Sequence, residues 1–325
     1  MTATTQPNVT KQKPLRGLLR SRPFLAFAVV ALVWIVAGLT MRGFGAYGHL
    51  RYLIELSAVI GLVAAGQTLV VIAGGIDLSV GAIITVSAVG LPLFTWQADP
   101  TGFIAIAATL AMATVIGFVN GAGVAFLRVH PMIMTLAMAT FLQGLLIIIA
   151  GGSAVSLENE LIQWLGNARP AGIPAGVLLW LVVCAVTLAI MHATPFGARL
   201  FAIGANPVAA ELSGVPVRAT TIAVYGMCGF TAGLAGLLLL GMNGQGYVGI
   251  GDPYLLTSIA AVVLGGTSIL GGSGTYAGTI PGAILLVTIT ALITVVNASP
   301  GWRSILFGAL ILVLLLLSGR EAARR

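Results

Sequence analysis

Apolar residues along this chain gather in long blocks separated by short polar or glycine-rich interruptions. A helix of about 20 predominantly apolar residues is long enough to cross the hydrocarbon core of a bilayer. Ten such blocks are legible, at about 24–41, 53–73, 77–95, 102–127, 132–150, 173–191, 219–241, 255–271, 276–296 and 302–318. The pattern predicts an all-α polytopic membrane protein with about ten transmembrane helices. A polar tail (1–22) precedes the transmembrane domain (23–319), and a short tail (320–325) follows it. The longest connections are 151–172 and 192–218. The second and third blocks are the least cleanly separated, because Gly74-Gly75 suits a break or re-entrant turn as well as a plain loop.

Basic residues set the orientation. With the N-terminus in the cytoplasm, the inside segments hold Lys11, Lys13, Arg16, Arg20, Arg22, Arg128, Arg199, Arg218, Arg320, Arg324 and Arg325. The outside segments hold Arg42, Arg51, Arg169 and Arg303. That is 11 against 4, the sign that the positive-inside rule demands. Ten spans then return the C-terminus to the cytoplasm.

Composition agrees with that class. Hydrophobic residues make up 58% of the chain and charged residues 7%, against roughly 25% charged in a soluble domain. The net charge of +7 does not point to nucleic acid, because the basic residues are scattered at segment ends and in the N-terminal tail. Cys184 and Cys228 lie in apolar runs and read as small core residues, not as a disulfide framework. The basic N-terminus leads into a long apolar stretch without a clear small-residue cleavage site, which predicts a retained first span. Glycine is abundant, with 43 residues, and Gly117/Gly121, Gly229/Gly233 and Gly278/Gly282 have the spacing that lets helix backbones approach closely. "VVIAGGIDLSVG" (70–81) is faintly echoed by "AVVLGGTSILGG" (261–272), as two related halves would leave behind.

Several chemistries are missing. The only lysines are Lys11 and Lys13, so no phosphate-binding G-x-x-x-x-G-K-[ST] loop exists. His49, His130 and His192 fall near predicted span ends, and none has metal-ligand spacing to another His or Cys. There is no G-x-S-x-G elbow and no H-E-x-x-H pair. The expectation is a chain with no catalytic residue, no metal site and no cofactor of its own. Within the spans the main ionisable group is Asp77, with Glu55 near the start of the second block. That is thin for a carrier driven by an ion gradient, so the energy for any transport is expected from elsewhere.

The loop 192–218 carries a helix signal. Asn206 suits the N-cap and Pro207 the first helical position. Val208, Ala209, Ala210, Glu211, Leu212 and Ser213 make up to two turns, and Gly214 suits the C′ stop. Pro216 opposes continuation. Two readings stand side by side: an ordinary interfacial turn, or a peg with an apolar knob, Leu212, that docks into a soluble partner.

Three stretches together resemble a family. "GGIDLSVG" (74–81), "AIGANPVAAELSGV" (202–215) and "GYVGIGDPYLLTSIAAVVLGGTSILGGSGT" (246–275) look like the ribose-type permease subunits of bacterial ABC importers, in the family's order and over about residues 24–318. The resemblance implies a permease in the bacterial inner (plasma) membrane that works as a pair, usually two copies. Cytoplasmic ATPase subunits would drive it, with ATP and magnesium held on those partner chains. A periplasmic or lipid-anchored binding protein would deliver a monosaccharide or related small polyol and would carry most of the selectivity. Residues 202–215 match the family's cytoplasmic coupling loop, which favours the docking reading for Asn206, Pro207, Ala209, Ala210, Glu211, Leu212 and Gly214. The alternative from another class is an ion-coupled secondary transporter of a small polar solute, taking up its cargo without an ATPase.

The motif Gly74, Gly75, Asp77, Ser79 and Gly81 stays open to three readings: Asp77 as the N-cap of the third span, as a contact near the cytoplasmic gate, or as a substrate ligand. A sugar path needs weak hydrogen-bonding groups along the spans. Candidates are Gln67, Thr68, Asn120, Gln143, Tyr225, Asn243 and Asn297, each of which could equally bond a neighbouring helix. The polar segments 156–160 and 245–253 are expected outside, where they would meet the binding protein.

Overall fold

The computed structural model describes residues 22–94, 102–151 and 153–296, with scattered positions from 299 to 312. Its helices are α1 (Arg22–Thr40), α2 (Tyr47–Ile72), α3 (Val80–Phe94), α4 (Phe103–Phe126), α5 (Pro131–Ala150), α6 (Glu160–Asn167), α7 (Ala175–Ala193), α8 (Pro195–Ala205), α9 (Pro207–Leu212), α10 (Val217–Asn243), α11 (Asp252–Leu264) and α12 (Tyr276–Val295). Two short strands, β1 (Val155–Ser156) and β2 (Gln245–Gly246), pair antiparallel. Among the described residues seven helices are long and apolar enough to cross a membrane, and α3 and α11 are shorter apolar helices. These nine match the first nine apolar blocks. The tenth, the N-terminal tail up to residue 21 and the C-terminal tail fall almost wholly outside the described residues.

Two boundaries differ from the sequence pattern, both for reasons of turn chemistry. The third block begins its helix at Val80, after a non-helical stretch. The eighth stops at Leu264 instead of running to 271, because Gly266 adopts a left-handed φ of +86°. There Gly266 N donates to Val263 O at 2.9 Å and Thr267 N to Val262 O at 3.2 Å. This is the Schellman stop, which satisfies orphan carbonyls at a helix end. α2 ends identically: Gly74 (φ +85°) donates to Val71 O at 3.0 Å and Gly75 N to Val70 O at 2.9 Å. The echo between the two segments is therefore a repeated helix stop. Its structural register pairs Gly74 with Gly266, one residue off the alignment of the two Gly-Gly pairs.

The core is built on α2 and α10. α2 is buried from Ser57 to Ile72, and α10 lies between it and α3 and α4. A Cβ on Gly117 would strike the carbonyl of Tyr225, and one on Gly229 the carbonyl of Ala113, so α4 and α10 cross at backbone contact. Gly278 and Gly282 press α12 against Ala261 of α11 and Gly265 just after it in the same way. Side-chain hydrogen bonds tie the helices further. Trp180 Nε1 on α7 donates to Tyr276 OH on α12 at 2.8 Å, and that hydroxyl donates to Gly61 O on α2 at 2.7 Å. Trp34 of α1 donates to Thr288 of α12 at 2.9 Å. α1, α4, α5 and α7 turn large apolar side chains outward, the face expected against lipid.

The connections sort to two ends. At one end Arg169 approaches Glu55 at 3.6 Å, Leu157 N donates to Gly244 O, and Asn159 lies against Gly102. At the other, Gly272 N donates to Ile72 O at 2.9 Å, His192 lies 3.4 Å from Thr275, and Arg218 stacks over Phe126.

Candidate functional site

The segment after α7 folds by consecutive caps. Thr194 accepts from Gly197 N at 3.4 Å, with Pro195 at the first position of α8. Leu200 and Ile203 bury α8 against the bundle. Gly204 meets the carbonyl of Ile72 and the amide of Gly272, where only a glycine fits. Asn206 then ends α8 and starts α9: its Oδ1 accepts from Ala209 N at 3.0 Å, and Pro207 follows at the first helical position. α9 closes in a Schellman stop, with Gly214 (φ +81°) donating to Glu211 O and Val215 N to Ala210 O, both at 3.0 Å. Ala210 alone of its residues is buried, while Val208 is 68% and Leu212 85% exposed. The result is a rigidly stopped one-and-a-half-turn peg with two aliphatic side chains facing away from the bundle. α8 itself escaped the sequence pattern, although Thr194-Pro195 is the same cap signal as Asn206-Pro207.

The second constellation lies at the break between α2 and α3. Asp77 is fully buried. Its Oδ1 accepts from Ser79 N at 2.8 Å and from Ser79 Oγ at 2.6 Å. Ile83 N donates to Ser79 O, which puts Ser79 in the N-cap place. Asp77 is thus not the cap itself. It makes an Asx turn that presets the cap residue. Ser79 Oγ also accepts from Asn120 Nδ2 of α4 at 2.8 Å, and Gln67 Nε2 donates to Asp77 O at 3.3 Å. Thr135 of α5 accepts from Leu78 N at 3.0 Å. Asp77 Oδ2, Asn120 Oδ1 and the Tyr225 hydroxyl are buried without a partner. Gly75 gives the Tyr225 hydroxyl its room, and Gly81 lets α3 meet Gly251.

Three of the path candidates, Gln67, Asn120 and Tyr225, therefore surround the break. Thr68 instead bonds Thr279 across α2 and α12 at 3.1 Å. Asn243 is exposed at the end of α10. Asn297 lies outside the described residues. Gln143 donates to Asp252 Oδ1 at 3.4 Å. The segment 245–253 runs along α3, where Gly251 N donates to Thr85 Oγ1 at 3.1 Å. Small residues allow that approach, since a Cβ at Gly246 or Gly251 would strike the backbone of α3. Among the described residues no three His, Cys, Asp or Glu side chains gather as metal ligands.

The chain is similar to transport proteins over nearly its whole length. The ribose import permease of Escherichia coli strain K12 is 34% identical over 299 residues, covering 90% of this chain and 92% of that protein. The ribose import permease of Bacillus subtilis strain 168 is 32% identical over 325 residues, covering 98% and 99%. The L-arabinose transport permease of E. coli K12 is 32% identical over 288 residues, covering 87% and 86%. Residues 50–315 match the family described as the permease component of the branched-chain amino acid transport system. With its long apolar helices, the chain belongs to that family of multi-pass membrane permease components.

Proposed function

We propose that this chain is the membrane-spanning subunit of an ATP-driven importer for a monosaccharide or related small polyol. Ten spans place both termini in the cytoplasm, and the domain runs from 23 to 319 with 192–218 as its coupling loop. Two copies form the path. An ATPase subunit docks on each copy from the cytoplasm, and a sugar-binding protein delivers the cargo from outside. The carrying observation is α9, whose exposed Val208 and Leu212 stand on a helix fixed at both ends. An apolar knob of this kind gains affinity by entering a groove on a soluble partner. The cargo class follows the relatives, whose names specify ribose and L-arabinose. The unpartnered polar atoms around Asp77 favour a role at the cytoplasmic gate, where partners would change as the break moves.

The test is reconstitution in proteoliposomes with an ATPase subunit and a sugar-binding protein from the same organism. Uptake of D-ribose, L-arabinose or D-fructose should require all three components and ATP, and should survive an uncoupler. Uptake by this chain alone, abolished by the uncoupler, would make it an ion-coupled carrier instead.

A further inference from the structure

The pairing of Gln143 with Asp252 lies at an unexpected depth. Gln143 is the thirteenth residue of α5. At 1.5 Å per residue it sits about 18 Å from the Pro131 end and about 10 Å from the other. The hydrocarbon core of a bilayer is about 30 Å thick, so Gln143 is well inside it. Asp252 must be at the same level. A second anchor agrees: Gly251 is bonded to Thr85, on the second turn of α3. That helix starts beside Ser79, which Asn120 holds six residues from the end of α4.

Yet Asp252 is exposed and Gln143 half-exposed. An exposed carboxylate at mid-depth cannot face hydrocarbon. Non-helical backbone at this depth, such as residues 247–251, is tolerated only inside protein or against a water-filled cavity. In a path formed by two copies, the face carrying Asp252 and Gln143 therefore lies against a water-filled path or the second copy. Their mutual bond, at 3.4 Å, is long, and among the described residues Asp252 Oδ2 and Gln143 Oε1 have no hydrogen-bond partner.

We propose that Asp252 and Gln143 form the cargo-contacting site of the translocation path, a clamp for two neighbouring hydroxyls of a neutral polyol. The proposal rests on the importer reading above and adds the residues that touch the cargo. The carboxylate accepts from one hydroxyl, and the amide both accepts from and donates to the next. Charge narrows the class further. The described arginines lie in connections, in the first two turns of a helix or on α8, so no described arginine at this depth pairs the carboxylate of an amino acid or the phosphate of a sugar phosphate. Asp252 would repel the phosphate and leave the amino-acid carboxylate without a cation. Contacts that are few and exposed also bind weakly, as a path must in order to release its cargo.

Two measurements on the assembled transporter test this. The first replaces Asp252 or Gln143 by cysteine, with the buried native Cys184 and Cys228 left in place, and follows labelling by a membrane-impermeant charged thiosulfonate. Asp252→Cys should react at least tenfold faster than Val182→Cys, which lies on the outward apolar face of α7. D-ribose delivered by the binding protein should slow the reaction. Equal slow rates would overturn the proposal, as would fast labelling that delivered D-ribose leaves unchanged. The second measures ATP-driven D-ribose uptake at equal amounts of assembled complex. Asp252→Asn and Gln143→Leu should each lower uptake at least tenfold at low sugar, chiefly through a raised KM. Uptake within twofold of the unaltered chain would refute the assignment. If the unaltered chain moves none of D-ribose, L-arabinose and D-fructose, the importer reading fails for sugars, while the labelling still decides whether this face is wet.

Discussion

Gly214→Ala isolates the proposed docking peg from the rest of the bundle. Nothing lies within 4 Å of where its Cβ would stand, so the substitution adds no clash. What it adds is backbone strain, because φ is +81° and an L-residue in the left-handed region costs roughly 1–2 kcal/mol. α9 has six residues and buries only Ala210. A helix so short is marginal by itself, so the strain appears as fraying of the last turn, where Leu212 sits. A partner that reads the helical form then sees its affinity reduced by the fraction still competent. At about 1.4 kcal/mol per tenfold, the expected weakening is roughly 5- to 30-fold. The assay is titration of purified ATPase subunit onto the permease in detergent, with thermal unfolding of the permease alone as the control. Unfolding should barely change. An affinity within twofold of the unaltered chain, for both Gly214→Ala and the bulkier Gly214→Val, would show that the ATPase does not read α9.

Two further substitutions probe the core. Asp77→Asn keeps the Oδ1 that accepts from Ser79, so the thermal midpoint should hold, whereas Asp77→Ala should cost about 1–3 kcal/mol by leaving Ser79 unsatisfied; equal losses from both would mean that the charge, and not the Asx turn, holds the break. Tyr276→Phe removes the acceptor of the buried Trp180 indole and should destabilise by about 1–3 kcal/mol, read as a lower denaturation temperature; an unchanged midpoint would show that the indole finds another partner.

What was legible in the sequence was local. Asn206, Pro207 and Gly214 lie within nine consecutive residues, and the structure places a cap and a stop at those positions. Apolar blocks likewise need no knowledge of neighbours. What was illegible depends on depth and on distant partners. Gln67, Asn120 and Tyr225 converge on Asp77 from three helices, and nothing in their spacing announces it. Nor does anything near Asp252 announce that Gly251 is bonded to Thr85, 166 residues away in the chain. The echo of the two Gly-Gly segments was visible, but its register was not, because the left-handed residue is the first glycine in one copy and the second in the other.

That repeated stop explains how a small peg is able to act on the break. After α2 and α11 end alike, the two segments diverge: one carries Asp77 into the buried polar cluster, the other carries Ile269 and a run of left-handed glycines toward α12. They are joined again where Gly272 N donates to Ile72 O. Gly204 of α8 sits on that junction with no side chain to cushion it. Asn206 separates α8 from α9 by a single residue. A displacement of α9 by a partner docked as proposed would therefore be delivered to the ends of both α2 and α11 through backbone contacts, which yield far less than side chains. Both segments it reaches hold a buried polar atom without a partner, Asp77 Oδ2 in one and Thr267 Oγ1 in the other, and a group without a partner in one state has the most to gain from another.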